Sequence, residues 1–251
     1  MKIFISPPFG NYFTDWRLSN KLVNNIDGNN CYTEFIPVKG SFTLEPRDGL
    51  ILQIIKTLRY SFTYKGWVNK IGLRNKGIDY AVSKYNSGSY DGCVVSIAVL
   101  KKEDIPELLE KIPLDMPLEI NVSCPNVGTH ITDIGIEKFI NRYRRWCIIK
   151  ISPHSDPKLI DGYYNMGFRQ FHCCNTVPVN EGGASGEIVR PYTEFFTQYI
   201  KQKYSDATVI SGGGIKTLSD INNYKNKGAN YFSVSSLCFS PLGFIKLLFE
   251  L

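Results

Sequence analysis

The sequence predicts an α/β protein, a single (β/α)8 barrel of the TIM type, and three observations carry that expectation. Eight short apolar runs recur along the chain, several nearly continuous in apolar or β-branched residues, as strands buried on both faces are. Amphipathic helical patterns lie between them, the alternation that builds a parallel sheet. The 251 residues match the length of about 250 that one closed barrel takes, so residues 1–251 read as one domain.

The predicted strands cover 2–6, 34–39, 93–97, 118–122, 147–152, 168–174, 208–212 and 231–235. Between them, Ile105, Leu108, Leu109 and Ile112 fall at i, i+3, i+4 and i+7, one face of a helix. Asp156-Pro157 offers an N-cap followed by proline at the first helical position. Leu218, Ile221 and Tyr224 repeat every three residues, with Ser219-Asp220 near that helix start. The stretch 40–79 is the exception: it is too long for an ordinary connection, and long loops in compact domains are usually functional.

Composition narrows the classes. Lys and Arg exceed Asp and Glu by 29 to 23, a mild and scattered excess. The densest cluster, Arg142-Tyr143-Arg144-Arg145, reads as a solvated helix face rather than a nucleic-acid site. Seven cysteines at irregular spacing argue against a disulfide framework. With no C-x-x-C pair, and His130, His154 and His172 scattered, no metal site is expected. The apolar run in 1–8 is too short for a secretory leader, and no stretch approaches the ~20 apolar residues of a membrane helix. A soluble, cytoplasmic protein is expected.

In a barrel of this type the chemistry belongs at the C-terminal ends of the strands. There the fourth strand runs into Asn121-Val122-Ser123-Cys124-Pro125-Asn126, one thiol between two carboxamides in a turn stiffened by proline. The carboxamides each offer a donor and an acceptor to a planar polar substrate. The same stretch also reads as a plain turn with a small buried Cys. The fifth strand carries Lys150 in Ile-Lys-Ile, where a lysine is buried only for a reason. Later strands end in Asn175-Thr176 with 182–186 beyond, in Gly212-Gly213-Gly214, and in Ser235-Ser236. Glycines at successive strand ends favour a phosphate-bearing cofactor, although each cluster alone reads as a turn. Cys93, Cys147, Cys173 and Cys174 sit in strands and are expected to be packing.

Over roughly 34–250 the chain resembles the dihydroorotate dehydrogenases, and more closely their soluble, cysteine-using class. The resemblance rests on the 121–126 motif and on 69–80, which fits N-x-x-G-L-x-N-x-G-x-D-Y. Thr43-Leu44-Glu45-Pro46-Arg47, Ser96-Ile97-Ala98, Asn175-Thr176 and 182–186 follow in the same order. It implies an FMN enzyme that oxidises dihydroorotate to orotate in pyrimidine biosynthesis. Cys124 is then the base at substrate C5, shielded by a loop, while hydride passes from C6 to the flavin. Lys150 would stabilise negative charge on the flavin ring. Asn69, Gly72, Leu73, Asn121, Asn126, Asn175 and Thr176 would contact the substrate. Lys39, Asn121, Lys150, Gly183, Gly213, Gly214, Ser235 and Ser236 would contact FMN. Asp79-Tyr80 leans toward the homodimeric branch.

The departures are specific. Ser235-Ser236 stands where the family has Gly-Thr, and Val99 where it has Gly. Lys39 and Thr43 are one residue further apart than usual, and the segments after Asn126 and Asn175 are short. A serine at 235 either crowds the phosphate or donates its hydroxyl to it. Two other readings stay open: an FMN barrel oxidoreductase on another pyrimidine-like substrate, and an inactive barrel that only binds. The electron acceptor also stays open, whether fumarate, NAD through a partner subunit, or another.

Overall fold

The computed structural model describes residues 1–12, 33–122 and 135–251. Its strands, in chain order, are β1 (Lys2–Ile5), β2 (Glu34–Phe42), β3 (Arg59–Ser61), β4 (Gly66–Asn69), β5 (Val94–Ile97) and β6 (Leu118–Asn121). They continue with β7 (Cys147–Lys150), β8 (Gln170–Cys173), β9 (Val177–Val179), β10 (Gly182–Ala184), β11 (Thr208–Gly212) and β12 (Tyr231–Val234). Strands β1-β12-β11-β8-β7-β6-β5-β2 close a parallel barrel, and β3-β4-β10-β9 form a separate antiparallel sheet. The eight barrel strands fall where the apolar runs predict them. The helices are α1 (Leu50–Thr57), α2 (Gly77–Asn86), α3 (Asp104–Lys111), α4 (Pro157–Asn165), α5 (Arg190–Lys203), α6 (Leu218–Asn226) and α7 (Pro241–Glu250).

Strand parity separates two fillings. Inward residues of the lower barrel are apolar: Phe4, Ile36, Val38, Val94, Ile148 and Ile210 form one buried cluster. Phe4 meets Trp146 edge-on at 5.2 Å between ring centroids, and Trp146 meets Tyr231 at 5.7 Å. Register carries the same parity to the upper layer, where the inward residues turn polar. Ser96 pairs with Glu119, Glu119 with Ile148, and Asn121 with Lys150, which pairs with His172. The outward residues Val95, Ile97, Ile120, Ile149 and Phe171 pack in a second cluster with Ile105, Leu108, Ile160 and Phe196 from the helices.

Local signals explain the helix starts. Asp156 caps α4 by accepting from the Lys158 N–H at 2.8 Å, with Pro157 next, as the sequence predicts. At α6 the cap is Thr217, in a reciprocal capping box with Asp220, so that helix begins just before the predicted Ser219-Asp220. The long 40–79 stretch folds into α1, the β3–β4 hairpin and a loop held by Asn75. The Asn75 carboxamide accepts from the N–H groups of Thr43 and Gly77 and donates to the Leu73 carbonyl and the Thr43 hydroxyl.

The arginine cluster corrects a sequence expectation. Residues 142–145 lie in turns rather than on a helix. Arg144 is buried and donates to the Phe139 and Met116 carbonyls, so it satisfies backbone rather than facing solvent. Among the described residues no helix is long and apolar enough to cross a membrane.

Candidate active site

Three adjacent strands bring the site's polar side chains to one level, since Asn121, Lys150 and His172 are register partners on β6, β7 and β8. Asn121 accepts from the Asn175 amide at 3.2 Å and donates to the Ser41 hydroxyl at 3.2 Å. Ser41 in turn pairs with the Ser96 hydroxyl at 2.8 Å. Lys150 is buried, with Nζ 3.6 Å from Glu119 Oε1. Glu119 Oε2 lies 2.6 Å from His172 Nδ1.

Both members of that carboxylate–imidazole pair are almost fully enclosed. Burial works against the Glu119 carboxylate, but Lys150 and His172 outweigh it and hold its pKa at about 2. Burial pushes the His172 imidazole below its ordinary value; Lys150 adds to this and Glu119 partly offsets it. An ionised carboxylate only accepts, so Nδ1 of His172 carries the proton between them.

A cleft with a cavity volume of about 90 Å3 opens at this end of the barrel. Lys150, Asn175 and Thr176 line it on the β7–β8 side, and Gly213, Gly214, Ser235 and Ser236 on the β11–β12 side. The glycine turn is clamped from outside. The carbonyls of Gly212, Gly213 and Gly214 accept from Thr193 at 2.6 Å, Tyr224 at 2.6 Å and Arg190 at 2.8 Å. With its carbonyls drawn to α5 and α6, the turn is built to present N–H groups to the cleft. Gly213 and Gly214 have φ of +104° and +71°, and a Cβ on Gly213 would sit 2.7 Å from Val189 Cγ1. The Ser235 hydroxyl donates to the Pro7 carbonyl at 2.7 Å, so its one proton is committed to the scaffold.

Cys124 and Asn126 are outside the described residues. Asn69 ends β4 in the small sheet, with the Gly72 and Leu73 turn beyond it. Gly183 pairs with Asn69 and packs on Thr176; its neighbours Ser185 and Gly186 line the cleft in its place. Lys39 is the clear correction. Its neighbour Val38 faces the barrel interior, so Lys39 faces out, where Nζ donates to the Gly10 carbonyl at 2.7 Å and lies 5.4 Å from the Tyr90 ring centre. The reason is the extra residue before Thr43, absorbed by a register shift between Lys39 and Phe42 that turns Ser41 inward instead. Glu119 and His172 carry no role in the sequence reading, although a glutamate inside an apolar strand is a buried charge that needs a partner.

No family model matches the chain. Curated relatives do. A putative dihydroorotate dehydrogenase A (fumarate) of Streptococcus agalactiae is 25% identical over 231 residues, 77% of this chain and 72% of that protein. The dihydroorotate dehydrogenase A (fumarate) of Lactobacillus delbrueckii subsp. bulgaricus is 27% identical over 69% of this chain and 67% of its own length. The dihydroorotate dehydrogenase B (NAD(+)) catalytic subunit of Desulforamulus reducens is 28% identical over 81% of this chain and 75% of its own. Among solved structures, that of an Eimeria tenella dihydroorotate dehydrogenase superposes with a TM-score of 0.66 at 17% identity, covering 86% of this chain and 73% of that one, a likeness of fold. Over most of its length the chain is thus similar in sequence to dihydroorotate dehydrogenases of the A and B types, and in fold to a solved one.

Proposed function

We propose that the chain is an FMN-dependent oxidoreductase that converts dihydroorotate to orotate. The observation that carries this reading is the pairing of Lys150 with the clamped glycine turn across one cleft. That cleft offers cation and amide groups on one side and backbone donors on the other, which suits a ligand with a polar ring system and a phosphate. FMN, when bound, would supply the two-electron acceptor that the side chains themselves lack. Gly213 and Gly214 would hold its phosphate. Lys150 would face its ring and stabilise negative charge there. Asn121 and Asn175, already bonded to each other, would orient the substrate's carboxylate and ring amides. Cys124, just beyond β6, would take the proton from substrate C5.

The test is direct. Purified protein should be yellow or become so on FMN titration, and anaerobic dihydroorotate should bleach it. Cys124→Ala should keep FMN and slow that bleaching by about 10²–10⁴-fold, the usual worth of a general base. Cys124→Ser should retain part of the rate with its optimum moved to higher pH. Wild-type rates in both variants would place the base elsewhere, and failure to bind FMN would remove the cofactor assignment. Assays with fumarate, NAD and other acceptors would then identify the oxidant.

A further inference from the structure

Lys150 stands on β7 and the glycine turn follows β11, and between these strands lies β8. A ligand that reaches both must cross β8, whose inward side chain at that level is His172. His172 lines the cleft while only 2% exposed. Its Nδ1–H is committed to Glu119, and among the described residues no group hydrogen-bonds Nε2. Gly212 keeps that nitrogen uncovered: a Cβ there would lie 3.4 Å from Nε2 and 2.9 Å from the Ser233 Cβ. When the other ring nitrogen is protonated, a neutral imidazole offers an acceptor at Nε2.

We propose that Glu119 fixes His172 as the Nδ1–H tautomer so that Nε2, on the cleft floor, accepts a hydrogen bond from a hydroxyl of the polyol chain linking a flavin ring to its phosphate. This rests on the FMN reading above. The geometry assigns three stations to one ligand: Lys150 beneath the ring, His172 beneath the chain and Gly213-Gly214 around the phosphate. His172 is then a binding residue and Glu119 a positioning residue. The carboxylate needs no proton change to do this. It sets which nitrogen is bare.

The experiment uses the whole chain labelled with ¹⁵N-histidine. The chain has three histidines, assigned by single substitutions of His130 and His154. His172 should show a protonated Nδ1 and a bare Nε2, and FMN should shift the Nε2 resonance upfield as its lone pair takes up a donor. In parallel, FMN is compared with an analogue whose chain is an unhydroxylated pentyl phosphate. Wild type should prefer FMN by about tenfold more than His172→Met does, the worth of one hydrogen bond with its partner left bare, and His172→Gln should recover part of the preference. Flavin fluorescence quenching with a protonated Nε2, or with an unmoved Nε2 resonance, overturns the inference and leaves the FMN reading standing. Absence of quenching at any FMN concentration removes both. The spectroscopic arm uses the unmutated protein, so a variant that fails to fold does not decide the outcome.

Discussion

Lys150 shows how one residue is fixed before any ligand arrives. It ends a strand inside a barrel, and Glu119 lies close enough to hold it by charge yet too far for a short hydrogen bond, at 3.6 Å. Its donors remain available to the cleft. Lys150→Ala should therefore slow flavin reduction by dihydroorotate by about 10²–10³-fold, the scale of losing one electrostatic stabiliser, while FMN still binds. Stopped-flow absorbance reads this, and an unchanged reduction rate would make Lys150 merely the counter-ion of Glu119. Lys150, Asn121, Asn175 and Gly213 are readable in the sequence because each sits at a strand end in a motif. The Glu119–His172 pair is not, because its members lie on non-adjacent strands 53 positions apart. Only barrel closure sets them face to face.

At the scale of elements, the glycine turn after β11 is a conformation held by its neighbours. Three carbonyls are pinned by side chains of α5 and α6, and Gly213 sits at a φ that side-chain-bearing residues rarely adopt. Gly213→Val should abolish flavin retention and cost about 1–3 kcal/mol of stability through overpacking against Val189. Absorbance of the purified variant and urea unfolding check the two parts separately; a stable variant with normal flavin content would place the phosphate elsewhere. β2 teaches the opposite lesson about elements. Motif spacing exposes the extra residue before Thr43, but the sequence does not say which residue the strand will extrude. The register shift decides it, leaving Lys39 in the outer layer, where burial pushes its pKa down and Cys93 only partly offsets this. Arg144 escaped the sequence reading for a related reason: charge clusters read as solvated until the chain turns one member into a carbonyl-lined gap.

At the scale of the molecule, the barrel was predictable because eight doubly buried strands have a distinctive apolar composition. Its polar upper interior also sets an acid sensitivity. Glu119 titrates below its ordinary 4.5 in the fold, so its contribution is present above that value and is lost as pH falls toward about 2. His172 titrates below its ordinary 6.5 in the fold. Under 6.5 the unfolded chain therefore takes up a proton that the fold resists, and stability drops as pH falls. Both act in one direction. Urea unfolding should show stability declining from pH 7 to pH 4, with the decline just below pH 6.5 removed in His172→Gln; a flat wild-type profile down to pH 5 would contradict the pair's burial. The small sheet has a consequence of another kind. It joins β4 to β10 across more than a hundred residues of chain and consists of strands of three or four residues. Such a sheet gains little until both halves of the barrel are in place, so it should assemble late and open first. Its Ser185 amide bonds the Trp67 carbonyl at 2.8 Å, and Ser185 lines the cleft. In native-state hydrogen exchange the amides of 66–69 and 182–185 should exchange through an opening much cheaper than that of the barrel strands, and FMN should slow them selectively. If they exchange only with global unfolding, the mouth of the barrel is part of its most stable unit, and ligand must enter without the sheet ever parting.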